Sequence, residues 1–152
     1  MVVGAAAASE RPYVMPSLTN NHTRAFVSAC LNGRADEVEL LIDQGLSPDT
    51  CDQYKLSGLI LAGRKGQVNV AKVLLSRGAT IDYRDVRGRT PLSHAVTFKR
   101  YEYVEYLASQ GADVNPVDMH GWTPLDVAAT SHFVKMTQLL EKLGGRRAAT
   151  EA

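Results

Sequence analysis

A chain of 152 residues that is 45% hydrophobic and 22% charged has the composition of one globular domain with a core of its own. Its net charge of +1 argues against a protein that coats nucleic acid by bulk charge, and no apolar run approaches the ~20 residues that span a bilayer. Of the two cysteines, Cys30 and Cys51, Cys30 falls at a small core position and reads as a reduced structural thiol, which points to a reducing compartment, cytoplasmic and/or nuclear.

The first 21 residues differ in kind from the rest. Met1-Val2-Val3-Gly4 and Ala5 to Ala8 are apolar, but they lack a basic start and run into Ser9-Glu10-Arg11-Pro12, so they do not read as a secretory signal. A largely disordered arm over residues 1–21 is expected, in which Tyr13, Val14 and Met15 could fold back over the outer face of the first folded unit. That unit, about 22–54, carries Phe26, Ala29, Gly33, Val38, Leu40, Leu41, Ile42 and Gly45. The second, about 55–87, starts a helix at Ser57, ends it at Gly66, and continues with the apolar stripe Val70, Val73, Leu74 and Leu75.

The third unit, about 88–120, shows the plan most clearly. In Gly88-Arg89-Thr90-Pro91-Leu92 the threonine suits a helix N-cap, and the proline suits the first helical position, where its missing donor costs nothing. Leu92, Ala95 and Val96 lie at helical spacing, and small residues there predict close stacking. A second helix buries Tyr103, Val104, Tyr106 and Leu107 and ends at Gly111, a position suited to a left-handed cap. The fourth unit, about 121–147, repeats Thr-Pro-Leu at Thr123-Pro124-Leu125 and decays into Gly144-Gly145-Arg146-Arg147, leaving 148–152 as a tail.

Thr90-Pro91-Leu92 and Thr123-Pro124-Leu125 are 33 residues apart, and the columns Ala29, Ala62, Ala95, Ala128 and Gly45, Gly78, Gly111, Gly144 keep the same register. Asp52, Asp85 and Asp118 each close one unit. A fixed period of this length is the mark of stacked repeats, and the pattern resembles the ankyrin repeat over about four-fifths of the chain. The resemblance implies an all-α solenoid of helix-turn-helix units joined by β-hairpin-like turns. The terminal units are less regular, as their outer faces meet water rather than another repeat. Lys55 and His22 stand where Gly88 and Gly121 stand, and Lys99 and His132 replace the glycine that Gly33 and Gly66 supply, so these residues must adopt a glycine-like conformation or the turns must differ.

Catalytic chemistry finds little support. His22, His94, His120 and His132 are scattered over different units with no metal-ligand spacing, and Ser93 and His94, adjacent in a helix, point about 100° apart. No enzyme activity, metal or cofactor is expected. What remains is binding of another protein by a chain that is monomeric on its own, with no membrane. The resemblance places that surface on the turn tips and first helices: Gln53, Tyr54, Leu56, Arg64 and Lys65; Val86, Arg87, Arg89, Thr97 and Phe98; Met119, His120, Trp122, Thr130 and Ser131. This set holds four basic residues, no acidic one and three aromatics. Leu56, Arg89 and Trp122, equivalent in register, should line a groove that receives an acidic segment with an apolar anchor. Two other readings stay open: occupation of a partner enzyme as its inhibitor or regulator, and anion or nucleic-acid binding through Arg64, Lys65, Arg87, Arg89, Lys99 and Arg100. The tyrosines Tyr101, Tyr103 and Tyr106 offer a second surface or a phosphorylation target, although core packing explains them as well.

Overall fold

The computed structural model describes residues 20–148. Among the described residues eight helices form four antiparallel pairs: α1 (Asn20–Asn32) with α2 (Ala35–Asp43), α3 (Gly58–Lys65) with α4 (Val68–Ser76), α5 (Pro91–Thr97) with α6 (Tyr101–Ser109), and α7 (Pro124–Thr130) with α8 (Val134–Lys142). The first helices stack α1 on α3 on α5 on α7, and the second helices α2 on α4 on α6. Among the described residues the extended chain between pairs makes a single bridge, Cys51 with Ser57.

Local chemistry starts each first helix. Ser57, Thr90 and Thr123 are N-caps whose hydroxyls accept the backbone N–H of Ile60, Ser93 and Asp126, which satisfies a donor that the helix itself leaves open. The Asp126 carboxylate in turn accepts Thr123 N and completes a capping box. α1 is the exception. It has no Thr-Pro start and is already helical at Asn20, more than a helical turn ahead of the register set by Gly58. Residues 20 and 21, placed in the expected arm, are helical, and the rest of the arm lies outside the described residues. His22, expected opposite the turn glycines, lies inside α1 instead. The proposed folding back of Tyr13, Val14 and Met15 lies outside the described residues.

The junction between paired helices needs a left-handed residue. Gly33 and Gly66 supply it at φ 73°, and Lys99 and His132 adopt it at φ 57° and 59°. Lys55 does the same at φ 63° in the turn where Gly88 and Gly121 stand at 75° and 80°. Each non-glycine there carries a strain of roughly 1 kcal/mol.

Packing follows the small-residue columns. Ala29, Ala62, Ala95 and Ala128 are all completely buried. Tyr103 is buried too, and its hydroxyl donates to the carbonyl of Leu59 in the preceding unit. A Cβ on Gly63 would sit 2.9 Å from the Tyr103 ring, so the tyrosine fills a slot that only glycine leaves open. A ladder of side chains ties each extended segment to the next: Asp49 accepts Thr80 N at 2.7 Å, Asp82 accepts Asp113 N at 3.1 Å, and Asn115 accepts Arg146 N at 2.6 Å. Asn115 also donates to the carbonyl of Gly144 at 3.1 Å, so its amide clamps the C-terminal segment from both sides.

Candidate protein-binding surface

Three turns present the tips, and one aspartate shapes each. Asp52 Oδ1 accepts Tyr54 N and Leu56 N at 2.8 and 2.9 Å. Asp85 Oδ1 accepts Arg87 N and Arg89 N, both at 2.9 Å, and Asp118 Oδ1 accepts His120 N and Trp122 N at 2.8 and 3.0 Å. These carboxylates face into the turns and hold the backbone there, so the residues at the crest are pushed outward. Tyr54 is 67% exposed, Val86 73% and Met119 65%, and Arg87 and His120 are exposed beside them. Met119 N donates to Arg87 O at 2.9 Å, which fixes the second and third tips relative to each other.

The expected row Leu56, Arg89, Trp122 does not form. Leu56 is only 9% exposed and belongs to the core, because an aliphatic side chain at this column gains by turning inward. Arg89 lies against Asp85, with Nε 3.3 Å from Oδ2, so its charge is already partnered. Trp122 alone stays out, 43% exposed. The basic cluster is divided likewise. Arg64 stacks on Phe98 at 4.8 Å and Lys99 on Phe133 at 4.6 Å, while Arg100 Nε donates to the Arg64 carbonyl at 3.0 Å. Lys65 and Arg87 are exposed and have no ion-pair partner among the described residues. Thr97, Thr130 and Ser131 are exposed at the ends of α5 and α7.

Of the tyrosine helix, Tyr103 belongs wholly to the core and burial pushes its hydroxyl well above the usual tyrosine range. That position offers no accessible phosphorylation target. Tyr106 is half-buried with Lys72 over its ring at 5.8 Å.

Sequence reasoning missed a buried cluster behind the middle tip. His94 Nε2 lies 2.8 Å from Asp85 Oδ2, both side chains being 2% exposed, and His94 Nδ1 is buried with no partner. Burial, with Arg89 and Arg64 nearby, holds the imidazole below its usual pKa against the pull of Asp85. Burial pushes Asp85 upward, but the N–H groups of Arg89 and Arg87 and the His94 ring outweigh it and leave the carboxyl below its usual value. The signal was available: His94 occupies the column that Leu61 and Val127 fill with aliphatics. Ser93, the neighbour considered as a nucleophile, is 3.1 Å from Thr90 Oγ1, while His94 turns toward Asp85. No group of three His, Cys, Asp or Glu side chains among the described residues is placed to hold a metal, and no described helix is long and apolar enough to cross a membrane.

A second feature lay mostly outside the expected set, sharing only Gln53 and Lys65 with it. An open groove of about 990 Å³ runs between α1 and the first turn, lined by Thr23, Arg24, Val27, Leu31, Gln53 and Lys65 among others. The family-derived surface began at the second unit and so omitted α1.

The sequence profile described as ankyrin repeats matches three times, over residues 6–85, 26–118 and 82–146. The chain is similar to the human (Homo sapiens) cyclin-dependent kinase inhibitor 2A, 32% identical over 82 residues, 53% of either chain. It is similar to the potassium channel AKT2/3 of Arabidopsis thaliana, 32% identical over 89 residues, and to the ankyrin repeat and SAM domain-containing protein 6 of Danio rerio, 35% identical over 78 residues. These two matches take in 59% and 51% of this chain but 11% of each relative's length.

Proposed function

Since the chain belongs to the ankyrin repeat family, a fold that binds other proteins, we propose that it is an adaptor or scaffold whose turn tips and first helices receive an acidic segment carrying an apolar anchor. The observation that supports this is the composition of the crest. Tyr54, Val86, Met119 and Trp122 expose apolar area beside the unpaired cations Lys65 and Arg87, while the nearby turn carboxylates point into their own backbone. Exposed aromatics supply contact area and arginine pairs with carboxylates. Asp85 already engages Arg89, so Arg87 is the better charge to test. Both cysteines are free thiols, in keeping with the cytoplasmic and/or nuclear setting that belongs to this proposal.

The test is capture of partners from cell extract by the full chain and by an Arg87→Glu, Trp122→Ala variant whose helix content is unchanged. Loss of a captured partner by about tenfold or more, the scale of a hot-spot contact, is the expected result. Equal capture by both contradicts the surface. A second reading, occupation of a partner enzyme as its inhibitor, is favoured by the likeness to the kinase inhibitor over half of that protein's length. A fall in the captured partner's activity on complex formation selects it over the adaptor.

A further inference from the structure

The groove beside α1 has a construction that the other units do not share. Because α1 begins early, its extra turn stands where the later units place a tip, and one wall of the groove is a helix face. Asn20, Thr23, Arg24, Val27, Ser28 and Leu31 recur at three- and four-residue steps along that face, while Phe26, Ala29 and Cys30 of the same helix are buried in the core. The facing wall is Cys51, Asp52 and Gln53, with Lys65 at the rim.

The chemistry of the walls is ordered along the groove. Arg24 stands toward the start of α1. Lys65, equivalent in register to Asn32, stands level with its end. Both are exposed and without an ion-pair partner among the described residues. Val27 and Leu31, half-buried, lie between them. The one carboxylate in the lining, Asp52, spends Oδ1 on two backbone N–H groups of its own turn. A helix rises 1.5 Å per residue, so Arg24 and the end of α1 are about 12 Å apart, the span of roughly four extended residues.

We infer that this groove is a docking site for an extended acidic segment of a partner protein, with carboxylates about four residues apart engaging Arg24 and Lys65 and an apolar side chain between them on Val27 and Leu31. The inference rests on the protein-binding reading above and assigns to it a subsite between α1 and the first turn.

Cys51 provides a reporter. It lines the groove and is partly exposed, whereas the other cysteine, Cys30, is buried and its thiol is pushed up to about 12 by that burial. Alkylation by iodoacetamide should therefore report on Cys51. The experiment selects a displayed library of random twelve-residue peptides on the full chain, then measures binding and Cys51 alkylation with the enriched peptides. The expected peptides carry acidic residues flanking an apolar one, slow alkylation several-fold, and lose at least about tenfold in affinity on Arg24→Glu, Lys65→Glu, as paired charge-assisted contacts are reversed. Circular dichroism shows whether that variant is folded, and Arg24→Gln, Lys65→Gln gives a milder second variant expected to lose affinity in the same direction.

Neutral or basic winners, or acidic winners that leave alkylation unchanged, overturn the groove. If those winners are instead lost with Arg87→Glu, Trp122→Ala, the groove falls and the wider reading stands. Winners insensitive to both sets of variants overturn both. Protection of Cys51 that grows with protein concentration alone replaces the partner segment with a second copy of this chain, and so overturns the proposal.

Discussion

The middle turn and the two turns beside it are built on one plan and held by different forces. Asp52, Asp85 and Asp118 make the same pair of backbone hydrogen bonds. Only Asp85 is also buried against a histidine and an arginine, because His94 and Arg89 stand where the second unit has Leu61 and Leu56 and the fourth has Val127 and Trp122. A shared backbone shape thus conceals one turn locked by a buried carboxylate–imidazole pair and two fastened by local hydrogen bonds. The lesson is that a repeat register transmits geometry faithfully while each unit sets its own electrostatics.

Removing the aspartates separates the turns most sharply. Asp85→Ala leaves the His94 Nε2–H buried without an acceptor and removes the two turn hydrogen bonds, and should cost about 3 kcal/mol, the upper end for an unsatisfied buried donor. Asp118→Ala should cost about 1 kcal/mol, the worth of ordinary turn hydrogen bonds. Urea denaturation of the two variants checks the difference, and equal losses would erase the distinction. Ala95→Leu, which overfills the stack behind the middle unit, should cost roughly 1–3 kcal/mol without changing how the turns rank.

Acidity probes the same contrast more gently. The folded chain holds His94 below its usual pKa, so as pH falls below about 6.5 the unfolded chain takes up a proton that the folded one refuses. Stability contributed by the neutral ring is fully present above that pH and declines beneath it until the lowered pKa is reached, by at most about 1.4 kcal/mol per pH unit. His94→Gln keeps a donor toward Asp85 and should flatten this part of the profile. Thermal melts of both proteins at several pH values decide it, an unchanged slope being the contrary result. The smallest change is expected from Lys55→Gly, which gives the first turn the glycine that the other two have. Relief of left-handed strain, partly offset by greater freedom of the unfolded chain, should stabilise by about 0.5 kcal/mol.

Much of this architecture is legible in the sequence because its causes are local and repeated. Thr90-Pro91 and Thr123-Pro124 announce helix starts, the alanine column announces close stacking, and Lys99 and His132 take the left-handed conformation that their register demands. The surface is less legible, because a column fixes where a side chain begins and not where it goes. Leu56 turned into the core, Arg89 met a buried carboxylate and Trp122 remained outside. The early start of α1 departs from the 33-residue register, so the repeat pattern did not mark the groove beside it. The pairing of Asp85 with His94 spans nine residues and depends on the folded turn, which no short motif encodes.

Hydrogen–deuterium exchange of the chain alone and with a captured partner tests the binding surface most directly. Protection gathered on residues 53–56, 86–89 and 119–122 and on the first helices is the expected pattern, with Tyr101–Ser109 of α6 unchanged. Protection confined to α2, α4 and α6, with the turn tips exchanging as they do in the free chain, would contradict it and move the working surface to the opposite face.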